Sequence, residues 1–218
     1  LKQDVASYLN LKDVEAATIK DFEIDDREVF IGFDYSMFSD NTAIGFVYPY
    51  GDNQYYLQQF SFIPWQAAGS LEAKENQDGI AYHAFPEYCQ ITAHKDGIIN
   101  PEQIYNWLLD FVGNHNLNVK FFGYDRFGSY QVKNIVESLN ANTSWNIMDI
   151  QQRTSALANP TKFLQELFVT HKATIPDDPI MKKALLNAVI KSDKIGIQVD
   201  KDKATLKIDV VDAIIDAL

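Results

Sequence analysis

An apolar stretch that rises into a single carboxylate constrains the fold of this chain more than any other feature. Residues 29–47, VFIGFDYSMFSDNTAIGFV, indicate two apolar strands joined by a polar turn, with Asp34 at the end of the first strand. Because Phe33 and Tyr35 flank this acid, the strand around it is predicted to be largely buried. A carboxylate in such a place is costly unless it is hydrogen-bonded, paired or bound to a cation. Taken alone, Asp34 is better explained as an aspartate that caps a turn.

The composition is typical of one globular domain in a reducing compartment. The chain has 218 residues, of which 46% are hydrophobic and 22% charged, and this is enough for one sizeable core. No apolar run approaches the ~20 residues that cross a bilayer. A single cysteine, Cys89, excludes an internal disulfide framework and a cysteine-rich zinc site, so we expect a cytoplasmic setting. The chain begins at Leu1 and stops in mid-pattern at Leu218, and we therefore expect an excised domain.

Charge is distributed unevenly along the chain. The net charge of −11 argues against a general nucleic-acid binder. Residues 1–150 carry 9 Lys and Arg against 21 Asp and Glu, whereas residues 151–207 carry 10 against 6. Residues 208–218 then add three Asp. A basic segment directly before a cluster of acids suits a metal site beside a phosphate-binding surface; the alternative is a solvated face with scattered lysines.

The order of the predicted elements indicates an α/β fold. Three β-rich runs at 29–35, 42–49 and 54–62 predict an antiparallel meander. The elements predicted after it are a helix at 71–78, a helix from Pro101, a strand at 118–124, a helix from Ser129, a strand at 145–150, a helix opened by Asn159-Pro160, a helix or strand over 180–191, a hairpin that turns at 192–194 and a helix over 207–218. A mixed sheet flanked by helices is the natural outcome.

Two further acids recur in settings comparable to that of Asp34. Asp125 ends the strand predicted at 118–124, and Asp209 opens the last helix with Asp212 three residues on, on the same face. In a mixed sheet the first and fourth strands can be neighbours, so both would deliver their acids at one edge. Converging carboxylates are tolerated when a divalent cation binds among them, and oxygen ligands suit Mg²⁺ or Mn²⁺. Two such ions about 3.5–4 Å apart would support phosphodiester cleavage.

Each of these acids also has a simpler explanation. Asp125 could start the Phe127-Gly128 turn, Asp209 fits a first-turn acid that the helix dipole favours, and Asp212 fits a solvated position. Other catalytic motifs are missing from the sequence, which contains no GxxxxGK[ST], GxGxxG or HExxH pattern. A nucleotide motor within this chain is therefore excluded.

The motifs around these acids resemble the nuclease domain of a tailed-phage terminase large subunit, a DNA-packaging protein. The matching segments, which span Val29 to Leu218, are GFDYSMFSDNTA, DGIINPEQIYNWL, GYDRFGS, IQQRTSALANPTKFLQEL and LKIDVVDAIIDAL. The resemblance implies a ribonuclease H-like fold and a metal-dependent endonuclease that cuts concatemeric viral DNA during genome packaging. It implies that Asp34, Asp125 and Asp209 are the catalytic metal ligands for two Mg²⁺ or Mn²⁺ ions. Asp212 occupies a position where the family varies more.

The resemblance also implies partners and a domain organisation. An ATPase domain would precede Leu1, with residues 1–28 as its linker and residues 29–218 as the nuclease domain. The partners would be double-stranded DNA and, in the full-length protein, the portal and the small terminase subunit, in the host cytoplasm and without a membrane. The residues expected to contact DNA phosphates are Arg126, Arg153, Lys191, Lys194, Lys201, Lys203 and Lys207. The alternative hypotheses are a non-catalytic docking module of the packaging complex and a resolvase- or transposase-like nuclease.

Overall fold

A computed structural model describes residues 5–35, 40–125, 130–150, 154–192, 197–199 and 214 of the chain. Within these ranges the strands are β1 (Val5–Ser7), β2 (Glu28–Asp34), β3 (Thr42–Tyr50), β4 (Gln54–Ile63), β5 (Cys89–Ile91), β6 (Asn118–Asp125), β7 (Ile147–Ile150), β8 (Ala173–Thr174), β9 (Val189–Ser192) and β10 (Ile197–Val199). The helices are α1 (Leu11–Ala17), α2 (Leu71–Asp78), α3 (Pro101–Asn114), α4 (Tyr130–Asn142), α5 (Thr154–Val169) and α6 (Pro179–Asn187), with a short 3₁₀ turn at Tyr82–Ala84.

A mixed sheet of seven strands forms the centre of the domain. Its order is β5-β4-β3-β2-β6-β7, and β8 pairs with β4. The pairs β2–β3 and β3–β4 are antiparallel, which confirms the predicted meander. β6 lies parallel to β2 and β7 lies parallel to β6. The first and fourth predicted strands are therefore neighbours, as expected.

Helices cover both faces of this sheet and create two separate cores. The α3–α4 core contains Phe33, Phe46 and Phe122 from the sheet, with Leu108 from α3 and Leu139 from α4. The α5–α6 core lies on the opposite face, and its members include Tyr8, Ala43, Val47, Leu57, Tyr82, Leu164 of α5 and Met181 of α6. Side chains alternate between the faces along each strand, so β2 and β3 contribute residues to both cores.

The helix starts follow local capping chemistry in most places. Asn100 caps α3 by accepting a hydrogen bond from the backbone N–H of Glu102, and Pro101 takes the first helical position, as predicted. The same signal at Asn159-Pro160 gave a wrong start for α5, which begins at Thr154 and contains Pro160 in its interior. A proline removes one intrahelical hydrogen bond. Burial of Leu164 and Phe168 holds the helix against this loss.

Residues near the start of the chain pack onto the domain. β1 pairs with β9, and β9 pairs with β10 in the predicted hairpin, which gives a second sheet of three strands. Tyr8 is buried and its hydroxyl donates to the backbone carbonyl of Thr161. Phe22 stacks on Tyr56 with ring centroids 4.2 Å apart. The interpretation of residues 1–28 as a lead-in from a preceding ATPase domain stays a prediction.

In the part of the chain that the structure describes, no helix is both long enough and apolar enough to cross a membrane.

A buried carboxylate joins β4 to α6. Asp178 is fully buried, and its Oδ1 atom caps α6 by accepting from the backbone N–H groups of Ile180 (2.8 Å) and Met181 (3.2 Å). Its Oδ2 atom accepts from the side-chain amide of Gln59 at 2.6 Å. Burial raises the pKa of Asp178 from 3.8 to about 6, although these hydrogen bonds act to lower it.

We expect Asp178 to make the stability of the domain depend on pH. Because its folded pKa lies above the unfolded value, its stabilising contribution is complete below about pH 4 and is lost as the pH rises through about 6. The loss is of order 3 kcal/mol at most. Asp178→Asn keeps an oxygen for the helix cap but does not titrate. Urea unfolding of both proteins from about pH 4 to about pH 7 measures the difference, and a difference that is constant with pH would contradict the expectation.

Candidate metal centre

Two strands that end in an acid lie side by side at one edge of the sheet. β2 ends at Asp34, and the parallel neighbour β6 ends at Asp125. Phe33 pairs with Tyr124, so Asp34 and Asp125 occupy the next positions in the same register. Neighbouring strands lie roughly 4.8 Å apart, close enough for two carboxylates to share a cation. The backbone therefore brings these two predicted site positions together.

Both positions belong to the face of the sheet that carries the α5–α6 core. The partner of Asp34 on β3 is Ala43, which is buried in that core. The partner of Asp125 on β7 is Ile150, which packs against the same core. Directly opposed residues on paired strands share a face. A cation at this edge would thus lie on the α5–α6 side.

A residue of the predicted terminal helix lies on this same face. Ile214 is helical, fully buried and part of the α5–α6 core. This agrees with the helix predicted over 207–218. Asp209 and Asp212 themselves lie outside the described residues, and their roles as ligands stay predictions.

Asp34 is a half-buried carboxylate whose Oδ2 atom is sealed from solvent. The next residue, Tyr35, packs against the α3–α4 core on the other side of the sheet. Burial raises the pKa of Tyr35 to about 12, so its hydroxyl stays protonated at neutral pH. Asp34 thus faces the candidate centre, whereas Tyr35 does not.

The donor chemistry at this edge fits a hard divalent cation. The acids predicted to converge there offer oxygen ligands, which Mg²⁺ and Mn²⁺ prefer. Cys89 is a poor soft ligand, since its buried thiol donates to the carbonyls of Tyr82 and Phe85 and burial raises its pKa to about 12. Among the described side chains, no group of three or more His, Cys, Asp or Glu could hold a metal. The side chain of Asp125 is not among them.

Most of the predicted DNA-contacting residues fall outside the described ranges. This group comprises Arg126, Arg153, Lys194, Lys201, Lys203 and Lys207. Lys191 lies within β9, between β1 and β10, opposite Val5 and Gln198. Phosphate contact by any of these residues stays a prediction.

A buried polar network beside the strand ends was missed by the sequence analysis. Lys74 and Asp78 are the buried residues of α2, and the Lys74 Nζ atom lies 3.1 Å from Oδ2 of Asp78. The Tyr82 hydroxyl donates to that same Oδ2 atom at 2.7 Å. The Asn41 Nδ2 group donates to the Tyr82 oxygen at 3.1 Å. The one sequence feature that could have indicated it is that α2 carries opposite charges at Lys74 and Asp78, four residues apart, but has no apolar stripe.

Comparison with known proteins identifies the family. The family model of the terminase large subunit, endonuclease domain, matches residues 1–218. This chain belongs to that family. The predicted resemblance to a terminase nuclease domain is thereby confirmed. A comparison with the curated proteins found no match.

Solved terminase structures share the fold at low sequence identity. The large terminase of bacteriophage HK97 is similar with a TM-score of 0.84 and 18% identity, covering 99% of this chain and 43% of that one. The nuclease of the thermophilic phage G20c with bound magnesium gives 0.55 and 12%, covering 94% and 93%. The g2p nuclease domain of bacteriophage SPP1 with bound Mn gives 0.50 and 13%, covering 87% and 84%. The predicted ribonuclease H-like fold is confirmed, and this chain spans less than half of the HK97 protein.

We expect Mn²⁺ to stabilise this terminase nuclease domain through Asp34. At a free concentration roughly 100-fold above Kd, binding to the folded state should raise Tm by roughly 5–10 °C. Asp34→Asn removes the ligand charge at nearly constant size, so most of that shift should disappear. Differential scanning fluorimetry with and without Mn²⁺ measures the effect.

A matched control for this experiment is Asp110→Asn. Asp110 is an exposed residue of α3, on the layer that covers the opposite face of the sheet. Its variant should keep the full Mn²⁺-dependent shift. Equal shifts in the wild type and Asp34→Asn would contradict the placement of the metal centre.

Proposed function

We propose that this chain is a metal-dependent DNA endonuclease that cuts concatemeric viral DNA during genome packaging. The observation that carries the proposal is the parallel pairing of β2 with β6, which sets Asp34 beside Asp125 in a chain of the terminase nuclease family. Relatives from phages G20c and SPP1 have structures with bound magnesium and Mn, which supports a divalent cation here. The reaction would be phosphodiester hydrolysis.

Asp34, Asp125 and Asp209 are the proposed catalytic ligands, with Asp212 as a further candidate. Asp34 and Asp125 would approach the metal from the ends of β2 and β6. Asp209 would approach it from the segment before Ile214, and Ile214 itself packs in the core on the same face of the sheet. Two Mg²⁺ or Mn²⁺ ions, when bound, would lower the pKa of a water molecule and neutralise charge on the leaving 3′-oxygen. Asp34 is well placed for this role, because it ends a strand in the interior of the sheet and strand ends are rigid supports.

The substrate is proposed to be double-stranded DNA held through its phosphates. Arg126 and the basic segment of residues 151–207 would supply these contacts, with Lys191 carried by the central strand of the small sheet. Because the remainder of the chain is acidic, this segment would decide how DNA approaches. In the full-length protein the proposed partners are the portal and the small terminase subunit, in the host cytoplasm.

The endonuclease hypothesis is favoured over both alternatives. A docking module would not need acids at adjacent strand ends, where mutual repulsion makes them costly unless a cation is bound. A resolvase- or transposase-like nuclease is less well supported, since the family match covers the whole chain.

We expect Asp34→Ala to abolish DNA cleavage while leaving the fold intact. Asp34 lies at a strand end and is half-buried, so its removal should affect the metal centre more than the core. Nicking of supercoiled plasmid with Mn²⁺ or Mg²⁺ should fall by at least roughly 100-fold, as for loss of a central electrostatic group. Circular dichroism confirms folding.

Asp110→Ala is the control for the cleavage assay, because it removes an exposed acid from the opposite layer. It should cleave like the wild type. If the wild type and Asp34→Ala nick plasmid at the same rate, the catalytic assignment is wrong. If Mn²⁺ binds nowhere on the wild-type chain, the docking hypothesis replaces it.

We expect the terminal lysines to set the salt dependence of DNA binding. The variant combines Lys201→Ala, Lys203→Ala and Lys207→Ala. Each lost phosphate contact lowers the magnitude of the slope of log K against log salt by about 0.9, so the triple variant should lose roughly 2–3. Fluorescence anisotropy on an Asp34→Ala background measures binding without cleavage.

The control variant removes three exposed lysines from elsewhere on the domain. These are Lys95, Lys120 and Lys133. Their removal changes the net charge equally and should leave the slope almost unchanged. Equal losses of slope in the two triple variants would show that net charge, and not the terminal segment, governs DNA binding.

A further inference from the structure

The short helix α2 buries two charged side chains, which is unusual. Lys74 and Asp78 are almost completely buried, with 2% and 6% of their surfaces exposed. Buried ion pairs are weak contributors to stability, because desolvation of both charges offsets their attraction. A gain in stability is therefore a poor explanation for this network.

The protons of the network fix its direction. Lys74 donates to the Asp78 carboxylate, which has no proton of its own to give. The Tyr82 hydroxyl has a single proton, and it points at Asp78. Asn41 must therefore present its NH₂ group to the Tyr82 oxygen. This order sets the rotation of the Asn41 amide, which leaves its Oδ1 atom turned away from Tyr82.

The Oδ1 atom of Asn41 is the end of this chain of hydrogen bonds. Asn41 is 4% exposed, and within the described part of the protein its Oδ1 atom is buried and accepts no hydrogen bond. A buried carbonyl oxygen of this kind is destabilising unless water or a ligand satisfies it. Asn41 thus has an acceptor that the described protein groups do not use.

Asn41 lies on the same side of the sheet as the candidate metal centre. It precedes β3 by one residue and is two residues from Ala43, the register partner of Asp34. Ala43 and Tyr82, the residue that Asn41 contacts, both belong to the α5–α6 core. Asn41 and Asp34 therefore face the same layer from neighbouring strands.

We propose that Asn41 is a positioning residue of the metal centre, whose amide oxygen accepts a hydrogen bond from a water molecule in the hydration shell of the cation. Mg²⁺ and Mn²⁺ sites keep several waters, and those waters need acceptors. Tyr82, Asp78 and Lys74 hold the amide in the orientation that leaves the oxygen available. This inference rests on the proposed metal-dependent function and adds residues to that same site.

The test measures Mn²⁺ affinity in the absence of DNA. Asn41→Ala removes the acceptor, and Tyr82→Phe removes the hydroxyl that orients it. Partners that orient a metal site typically change metal affinity by 10–100-fold, so both variants should bind Mn²⁺ about tenfold more weakly by isothermal titration. Thermal unfolding in EDTA shows that each variant is folded before metal is added.

Tyr48→Phe is the matched control. Tyr48, like Tyr82, is fully buried, and its hydroxyl donates to the Oε1 atom of Gln58 at 2.8 Å, but Tyr48 belongs to the α3–α4 core on the other face. It should lose stability as Tyr82→Phe does and keep wild-type Mn²⁺ affinity. A purely structural role for Tyr82 predicts no such difference.

The outcomes separate this inference from the proposed function. Wild-type Mn²⁺ affinity in folded Asn41→Ala would overturn the role of Asn41 and leave the nuclease proposal standing. If Asn41→Ala does not fold, Tyr82→Phe decides, and equal Mn²⁺ affinities in Tyr82→Phe and Tyr48→Phe would overturn it. Absence of Mn²⁺ binding by the wild type would refute the proposed function, and the inference would fall with it.

Discussion

The parallel pairing of β2 with β6 is the interaction on which the rest of the structure depends. It joins the antiparallel meander to the later half of the sheet, and its register sets Asp34 beside Asp125. A shift of one residue would move one of the two acids to the opposite face. The burial of Phe33 and Phe122 in the α3–α4 core opposes such a shift, so apolar packing on one face fixes the positions of the acids on the other.

The two faces of the sheet have different physical roles. The α3–α4 core is rich in stacked aromatic rings, such as Phe60 and Trp107 at 3.9 Å, and it supplies apolar burial. The opposite face also buries polar groups, including Asp178 with Gln59 and the network from Lys74 to Asn41. Buried polar groups are expensive unless they are satisfied, but they orient side chains strictly. These polar groups lie on the α5–α6 face, where the proposed function needs metal ligands held in one orientation.

Much of the fold could be predicted from short-range sequence patterns, and the predictions that were wrong have physical causes. The meander and the start of α3 follow from alternation and capping, which neighbouring residues determine. The start of α5 was wrong because the Asn-Pro signal is local, whereas tertiary burial carries the helix through Pro160. Lys74 gave no sign of burial, since a lysine on a polar helix ordinarily faces water.

The sequence by itself determined most of the secondary structure, the acids at the ends of β2 and β6 and the resemblance to a terminase nuclease. Side-chain period, cap chemistry and motif order are properties of the chain. Only the tertiary structure decided that β2 and β6 are neighbours, that Asp34 faces the α5–α6 core and that the Asn41 amide has one orientation. Strand order and desolvation depend on contacts between residues far apart in the chain. The direction of each hydrogen bond in the network from Lys74 to Asn41 depends on which donors and acceptors the fold places next to each other.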